Sequence, residues 1–424
     1  MKNILKSIVA LGLAFLARAV VRRYRPRIVM VSGSVGKTST KDAVAAVLGT
    51  QFYVRKSEKS FNSEFGVPFT ILGVGNPWND PLAWLALVRN AFALIFLPNH
   101  YPNMLVLEVG ADRPGDLARI LRFATPDAVV ITRLPEIPVH VEAYASPEAV
   151  REEEFSPAYA LAAGAPLIIP SDDAYALENA KRTSARLISY GTTDDATVRV
   201  SDIRFYEQDD TVIGMQADVA VNSEQGMCIE KGSVGETQVP PLAAAIAVAH
   251  AFEIPLSRAL TALKSYKAPP GRGRLLAGKN DSIIIDDSYN ASPAAVEEAL
   301  KTLKTFPHAR RRIAILGDML ELGRYSVKEH ERIAVLAAAS ADVIVTVGIR
   351  ARAFAMAPVH AEIFQFDNSR TAAAALPDLV REGDVVLVKG SQSIRTERIV
   401  EALLANSTHA TLLVRQEKKW RERA

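Results

Sequence analysis

Short apolar runs alternate with segments of helical spacing from residue 26 onward. In the first half of the chain, the runs that read as buried strands cover residues 27–31, 105–107, 128–132 and 167–169. Strands that are covered by helices on both faces are apolar along their whole length, and helical crossovers join them into a parallel sheet. The pattern therefore predicts an α/β fold built on a mainly parallel sheet.

Two later segments divide the chain. Residues 195–232 alternate between apolar and polar side chains, which predicts an antiparallel β insert, and a helix is expected over 241–252. The run KAPPGRGR at 267–274 combines Pro, Gly and basic residues and so marks a domain boundary. Four more strand-like runs follow, at 282–285, 313–316, 343–347 and 385–388. We expect a central domain over 26–269 and a second, Rossmann-like α/β domain over 270–424.

The first 25 residues are mostly apolar, but Lys2, Lys6 and Arg18 interrupt them and a basic run follows at 22–27. The uninterrupted part is shorter than the ~20 residues that a spanning helix needs. The pattern predicts an amphipathic helix over 1–25 that lies in a membrane interface, with its arginines on anionic head groups. A second apolar stretch, 81–97, fits either a buried core helix or a second membrane-docking element.

Composition narrows the class of protein. The chain has 424 residues, of which 49% are hydrophobic and 23% charged, as in a globular protein of two or three domains. A net charge of +3 is too small to indicate nucleic-acid binding. The single cysteine, Cys228, excludes an internal disulfide and a cysteine-based zinc site, so we expect a reducing, cytoplasmic setting.

The stretch VSGSVGKTST, residues 31–40, follows one predicted strand and precedes a predicted helix. Backbone N–H groups at such a helix start bind anions, and Gly33 and Gly36 let the backbone approach a phosphate. Lys37 is placed to reach the terminal phosphates and the Thr38 hydroxyl to bind Mg²⁺. The G-x-x-G-K-T spacing is shorter than the usual phosphate-binding loop, which would have a glycine where this chain has Val31.

Polar residues also follow other predicted strands, and in a parallel sheet the carboxyl ends of strands are where ligands bind. Glu108 ends one strand and is a candidate Mg²⁺ ligand, or alternatively only a helix-start carboxylate. His140 lies in a loop, where a lone histidine is more often structural. In the second domain, the corresponding residues are Asp286, Asp287, Asn290, Asp318, Glu321, His330, Lys389, Ser391 and Arg395. Two such domains predict a cleft that closes on two substrates.

Eight motifs in order resemble the Mur ligase family, most closely its MurF branch. They span roughly residues 26–405 and read GSVGKTST, FNSEFGVP, LEVGADRPGDL, VITRLPEIPVHVE, PGRGR, DDSYNASP, ILGDMLELG and VLVKGSQSIRTE. The resemblance implies ATP-dependent amide formation. A carboxylate attacks the γ-phosphate of ATP, giving an acyl phosphate and ADP, and an amine then displaces phosphate from the acyl carbon.

The resemblance also implies roles for individual residues. Lys37 would stabilise the β- and γ-phosphates, and Mg²⁺ ions would be held by Thr38 and Glu108 and by His140 and Glu154. The residues implied to contact ATP are Gly33, Ser34, Gly36, Lys37, Thr38, Ser39, Arg272, Asp287 and Asn290. Those implied to contact the other substrates are Asn62, Ser63, Glu321, Lys389, Ser391 and Arg395.

The sequence departs from the family pattern in four places. Glu154 stands where the family has a carbamylated lysine, and both present a carboxylate. Thr237 and Pro241 replace a His and an Asn, and Gln392 replaces the arginine of a KGSR pattern. The N-terminal UDP-binding domain has no counterpart, so a lipid-linked or membrane-proximal acceptor is an alternative to a UDP-linked one.

These patterns favour an ATP- and Mg²⁺-dependent ligase that couples a cell-wall precursor to an amino acid or dipeptide such as D-alanyl-D-alanine. Two alternatives stay open: a ligase with another acceptor, similar to membrane-associated poly-γ-glutamate synthetases, and an inactive ATP-binding scaffold. We expect a monomer at the inner face of the cell membrane, in peripheral contact through residues 1–25 and 81–97, with no nucleic-acid partner.

Overall fold

The computed structural model describes residues 2–58, 60–78, 80–356, 360–417 and 420. The predicted C-terminal domain therefore includes positions outside the described residues. The helices and strands before residue 270 are α1 Lys2–Tyr24, β1 Arg27–Ser32, α2 Lys37–Leu48, β2 Val54–Lys56, α3 Gly66–Leu72, α4 Pro81–Phe96, β3 Met104–Glu108, α5 Asp116–Leu121, β4 Ala128–Ile131, α6 Pro147–Tyr159, β5 Pro166–Pro170, α7 Ala174–Ala180, β6 Arg186–Gly191, β7 Val198–Gln208, β8 Thr211–Val221, β9 Glu224–Lys231, α8 Val239–Ala251 and α9 Leu256–Leu263.

The elements after residue 270 form a second α/β unit. They are β10 Arg274–Ala277, β11 Ile283–Asp287, α10 Pro293–Thr305, β12 Arg311–Gly317, α11 Ser326–Ala338, β13 Val343–Val347, β14 Glu362–Phe366, α12 Ser369–Ala375, β15 Asp384–Lys389 and α13 Glu397–Leu403. The predicted boundary at residue 270 falls between α9 and β10, where Gly271 and Gly273 both take positive φ.

The first sheet has nine strands in the order β2-β3-β1-β4-β5-β6-β7-β8-β9. The strands from β2 to β7 run parallel, and β8 and β9 extend the same sheet antiparallel. The predicted β insert is thus an edge of the main sheet. Strands β1, β3, β4 and β5 are almost wholly buried because helices cover both faces, which is why their sequences are continuously apolar.

The second sheet has six strands in the order β10-β11-β15-β12-β13-β14, and β10 alone among them runs antiparallel. The order places the ends of β11 and β15 side by side, with Asp287 opposite Lys389. The two sheets together confirm the predicted α/β fold class with mainly parallel strands.

The N-terminal helix α1 packs on α3 and α4. One face of α1 is buried through Ala10, Leu13, Ala17 and Val20 in the same core as residues of α3 and α4. Arg23 donates hydrogen bonds to the backbone oxygens at the end of α4, at positions 95 and 97. In the part of the chain that the structure describes, no helix combines the length and apolar character needed to span a bilayer.

Helix α4 is neither wholly buried nor wholly exposed. Its inner face contributes Leu87, Ala91 and Leu94 to the core. Its outer face carries exposed apolar side chains, namely Leu82, Leu85, Val88, Phe92 and Phe96. The interpretation of 81–97 as a buried core helix is therefore wrong for that outer face, because no described element covers it.

Candidate active site

The loop between β1 and α2 is shaped by two glycines. Gly33 and Gly36 have φ of +117° and +90°, a region that favours glycine. A Cβ at Gly33 would clash with Thr132 Oγ1 and lie 2.9 Å from the Thr132 carbonyl oxygen, so this position excludes any side chain. The loop is fixed to the neighbouring strand end because the Ser34 N–H donates to the Arg133 carbonyl at 3.1 Å. The start of α2 therefore opens into the cleft in the manner of an anion site.

Lys37 lies between the loop and the buried carboxylate of Glu154. Its Nζ donates to the Gly33 carbonyl and lies 3.9 Å from Glu154 Oε1. The Ser34 hydroxyl donates to Glu154 Oε2. Burial raises the pKa of Glu154, while Lys37, Ser34 and His140 act in the opposite direction. Glu154 is thus held by the loop itself.

Glu108, at the end of β3, is buried and only half satisfied. Its Oε1 accepts a 3.4 Å hydrogen bond from Asn62 Nδ2, whereas Oε2 is buried without a hydrogen-bond partner among the described residues. Burial raises the pKa of Glu108, against the attraction of Lys41, Lys37 and Arg272 and the effect of the nearby Thr38 hydroxyl. An unpaired buried carboxylate oxygen beside a phosphate-type loop fits a cation that also takes phosphate oxygens.

A complete protein-only metal cage is absent from the described residues, where no cluster of three or more His, Cys, Asp or Glu side chains is arranged to hold an ion. The donor set suits Mg²⁺, which uses one or two carboxylates and fills its other positions with water and phosphate oxygens. Thr38 and Glu108 would hold such an ion, and the phosphates and water would complete its shell.

His140 joins the two domains. Its backbone is left-handed, with φ of +65°. Its Nδ1 lies 3.0 Å from Glu321 Oε2 and its Nε2 lies 3.5 Å from Asp112 Oδ1. Burial acts to lower the pKa of His140, but the hydrogen bond and charge of Glu321, with Asp112, raise it overall. The predicted role of His140 and Glu154 in a second metal site stays a prediction, because in this structure each has other partners.

The second domain brings its own charged pair to the cleft. Lys389 Nζ lies 2.6 Å from Asp287 Oδ2 and donates to the Asn290 carbonyl at 3.1 Å. The Ser391 hydroxyl accepts from the Leu320 N–H at 2.8 Å. The strand register of β11 and β15 places these groups together at the carboxyl edge of the second sheet.

The resulting cleft has a volume of about 1200 Å³ and is lined by both domains. The predicted residues that line it are Ser34, Gly36, Lys37, Thr38, Ser39, Asn62, Glu108, His140, Arg272, Asp287, Asn290, Glu321, Lys389 and Ser391. Gly33 and Glu154 lie directly behind this wall, in contact with Lys37. Thr237, Pro241 and Gln392, the positions that depart from the family pattern, also line the cleft.

Two predicted substrate residues lie elsewhere. The Ser63 hydroxyl accepts from the Gly66 N–H at 3.3 Å, at the start of α3. Arg395 is buried in an ion pair with Glu397, and its Nη1 donates to the Trp420 carbonyl at 2.7 Å. Neither side chain faces the cleft, because each is already bound to its own segment of the fold.

Among the cleft residues that the sequence argument missed are Ser60, Asp112 and Tyr289. Asp112 and Tyr289 lie inside motifs that had been singled out, and Ser60 directly precedes one. The sequence therefore contained a signal for them, because each of these polar side chains lies inside a motif or directly beside one.

Comparison with known proteins agrees with this geometry. The model of the Mur ligase middle domain matches residues 31–249, and that of the Mur ligase glutamate ligase domain matches residues 271–392. The UDP-N-acetylmuramoyl-tripeptide–D-alanyl-D-alanine ligase of Bacillus subtilis (strain 168) is 28% identical over 396 residues, covering 92% of this chain and 78% of the relative. The ligase of the same name from Escherichia coli (strain K12) is 26% identical over 399 residues, covering 92% and 79%.

A solved structure is similar over the same range. The crystal structure of MurF ligase from Thermotoga maritima in complex with ADP has a TM-score of 0.76 and 25% identity, covering 93% of this chain and 83% of that one. The middle-domain model alone matches more than half of the chain, and the C-terminal model follows it in order. The chain therefore belongs to the Mur ligase family.

Proposed function

We propose that this protein is an ATP- and Mg²⁺-dependent, ADP-forming ligase that joins a carboxylate to an amine in peptidoglycan precursor synthesis. The observation that carries the proposal is the unpaired, buried Oε2 of Glu108 beside the Gly33–Lys37 loop, within a cleft formed by two domains. A buried carboxylate oxygen without a partner is costly, and a cation brought by a nucleotide would remove that cost.

The chain's own residues suit the two steps of the reaction. The carboxylate of one substrate attacks the γ-phosphate of ATP, and the amine of the other then displaces phosphate from the acyl carbon. Lys37 would exchange its contact with the Gly33 carbonyl for the phosphates, where its charge stabilises the transferring group. Arg272 and Lys389 add positive charge from the facing side of the cleft.

The names of the relatives suggest the substrates. We propose a muramoyl tripeptide as the carboxylate substrate and D-alanyl-D-alanine as the amine, with the tripeptide carried either by UDP or by a lipid. A ligase with a different acceptor, or an inactive ATP-binding scaffold, would predict other outcomes in the same assay.

The direct test is phosphate release by the purified protein with ATP and Mg²⁺. D-alanyl-D-alanine is added with either the UDP-linked or the lipid-linked tripeptide, and Lys37→Ala is assayed in parallel. Release that requires both substrates and disappears in the variant supports the ligase and identifies the carrier. ATP binding without release on either acceptor would contradict these substrates, and the same result with a wider set of acceptors would favour the scaffold.

We also propose that the protein acts as a monomer in the cytoplasm, in peripheral contact with the inner face of the cell membrane. The contact surface is the α1–α4 apolar face, defined as the exposed side chains Ile8, Leu11, Phe15, Leu82, Leu85, Val88, Phe92 and Phe96. Several are strongly exposed, with Leu11 at 70%, Phe15 at 72% and Leu82 at 76%. Contiguous exposed apolar surface of this kind marks an interaction site.

Charge favours an anionic lipid surface as the occupant of this face. Residues 2–27 contain seven Lys and Arg and no Asp or Glu, and α4 has no acidic residue. Two copies of the face would bring these positive charges together, whereas anionic head groups would neutralise them. A membrane-bound enzyme could then take its acceptor from the same bilayer, which supports the lipid-linked alternative.

Vesicle flotation tests this contact. The protein should float with vesicles of phosphatidylglycerol, bind less to phosphatidylcholine vesicles, and lose binding in high salt. Leu11→Ser with Phe15→Ser should abolish flotation, while the equally exposed Ile349→Ser in the second domain should not. Point variants are preferable to deletion of residues 1–25, because α1 also fills the core through Leu13 and Val20. A concentration-dependent dimer without vesicle binding would assign the face to a second copy instead.

A further inference from the structure

Three hydroxyl groups form a chain across the cleft between the domains. Thr38 Oγ1, in the first turn of α2, lies 3.2 Å from Ser60 Oγ, in the loop before α3. Ser60 Oγ lies 2.8 Å from the hydroxyl of Tyr289, which follows β11 in the second domain. The chain thus begins at a predicted Mg²⁺ ligand and ends in the other domain.

The Tyr289 end of this row of hydroxyl groups is fixed by several contacts. The Tyr289 N–H donates to the Gly271 carbonyl at 3.1 Å, and the Tyr289 carbonyl accepts from Arg415, which is itself paired with Glu397 at 2.9 Å. Arg272 stacks on the Tyr289 ring, 4.2 Å from its centroid. Since backbone and ring are fixed, the hydroxyl of Tyr289 has a defined position toward Ser60.

Arg272 also determines how the Thr38 hydroxyl is used in this structure. Its Nη2 donates to Thr38 Oγ1 at 3.4 Å, and its buried Nε has no hydrogen-bond partner among the described residues. A hydroxyl has one donor hydrogen and two acceptor lone pairs. While Arg272 donates to Thr38, the Thr38 hydrogen can turn either to Ser60 or toward Glu108, whose pKa the Thr38 hydroxyl lowers, so the direction of the Thr38–Ser60 and Ser60–Tyr289 bonds is not fixed.

We propose that Ser60 and Tyr289 are positioning residues that couple Mg²⁺–nucleotide binding at Thr38 to docking of the second domain. When the Thr38 oxygen gives a lone pair to the cation, its proton must point away, and Ser60 Oγ is placed to accept it. Ser60 then donates to Tyr289, so the chain runs in one direction from Thr38 to the second domain. The positive charge of the ion repels the Arg272 guanidinium, which is released toward the phosphates.

This inference rests on the proposed ligase function, since it requires Mg²⁺ and a nucleotide at Thr38. It adds two residues and a direction of coupling that local sequence does not give. It also explains why the half-buried Tyr289 lies beside two arginines with its hydroxyl on a serine of the other domain.

The test is calorimetric binding of a non-hydrolysable ATP analogue with and without Mg²⁺. The variants are Ser60→Ala, Tyr289→Phe and the double variant, and Tyr289→Phe keeps the ring under Arg272. Each single variant should reduce Mg²⁺-dependent affinity by about 3- to 10-fold, as expected for one hydrogen bond, while Mg²⁺-free affinity stays unchanged. The double variant should lose no more affinity than either single variant, because the three hydroxyl groups act as one unit.

Tyr206→Phe is the matched control, since it removes a hydroxyl from the β insert and leaves the ring under Lys231. A merely structural role would lower affinity equally with and without Mg²⁺, and that result would overturn the proposal, as would additive losses or no loss. If the wild-type protein binds no nucleotide, the ligase function fails and the coupling fails with it. If the wild type shows Mg²⁺-dependent binding and the variants match it, only the coupling fails.

Discussion

Two buried carboxylates flank Lys37, and they differ in one respect. Glu108 and Glu154 are both almost fully buried, and burial raises the pKa of each. Both oxygens of Glu154 have partners, from Ser34 and Lys37, while Glu108 keeps Oε2 without one. Burial and a raised pKa therefore do not by themselves mark a metal ligand. An unpaired carboxylate oxygen beside a phosphate-type loop is the stronger indication, because that oxygen is what a cation would satisfy.

The comparison also explains why the two predicted metal positions look different. At the predicted metal position beside Glu108, only the nucleotide and the ion would have to be added. On the other side, His140 is paired with Asp112 and Glu321, and Glu154 is turned to the phosphate loop. A second ion there would first require these pairs to separate.

The largest expected effect comes from the residue that both carboxylates share. Lys37→Ala removes the cation that attracts Glu108 and Glu154 and the group predicted to stabilise the transferring phosphoryl. We expect turnover to fall by about 10²- to 10³-fold, the cost of losing one preorganised group at developing charge. Steady-state phosphate release measures this, and a loss of less than about tenfold would place the phosphates away from Lys37.

The next effect separates the two carboxylates. Glu108→Gln should weaken Mg²⁺-dependent nucleotide binding by about 100-fold, because a direct charge interaction with the ion is lost. Glu154→Gln should change that binding little, but it should unfold at a temperature a few degrees lower than Glu108→Gln, since glutamine keeps only one acceptor oxygen and no charge for Ser34 and Lys37. Calorimetry and thermal unfolding of both variants test this contrast. If the two variants bind Mg²⁺ and nucleotide equally, or unfold at the same temperature, the proposed difference between the two carboxylates is wrong.

A smaller effect tests whether Glu154 replaces the family's carbamylated lysine. Glu154→Lys puts a second cation near Lys37, so we expect activity to fall by about tenfold in CO₂-free buffer. Reaction of the new amine with CO₂ gives a carbamate, whose negative charge restores the original sign. Added bicarbonate should therefore rescue Glu154→Lys but not Glu154→Met. Equal activity of both variants with bicarbonate would show that charge at this position is not what matters.

The parts of the site that were predictable depend on local sequence. The strand, glycine loop and helix around Lys37 lie within some twenty residues (27–48). The spacing of apolar residues and the glycines of the turn were therefore sufficient to predict them. Glu108 was found because the end of a buried strand can be read from its apolar run. The α/β class was predicted correctly for the same reason, although the three-residue strand β2 and the half-exposed β6 gave no clear apolar run.

The parts that were missed depend on contacts between distant segments. Ser60 and Tyr289 are 229 positions apart and meet only because the domains dock. Arg395 resembled a substrate residue, but its guanidinium is paired with the nearby Glu397 and also donates to the carbonyl of Trp420, 25 positions away, a contact that sequence could not assign. The outer face of α4 was ambiguous because an apolar helix does not reveal which of its faces another element will cover.

Glu230 provides a control outside the cleft, because its substitution is expected to have no effect on nucleotide binding. It too is buried with one unpaired carboxyl oxygen, Oε1, and its Oε2 accepts from the Ser233 N–H at 3.1 Å. Burial raises the pKa of Glu230 to about 7, although Ser233 and Arg274 oppose the shift. It lines a separate cavity of about 250 Å³.

A raised pKa means that the folded state keeps a proton that the unfolded chain releases from about pH 4.5 upward. The stability from this group is therefore complete below pH 4.5 and is lost as the pH rises through 7. Glu230→Gln should match the wild type at pH 4.5 and be more stable at pH 8, by about 1 to 3 kcal/mol. Thermal unfolding at both pH values tests this, and an equal difference at the two would contradict the shift. Mg²⁺ and nucleotide should stabilise Glu230→Gln and the wild type to the same degree, because an unpaired oxygen marks a metal ligand only where a phosphate-binding loop faces it.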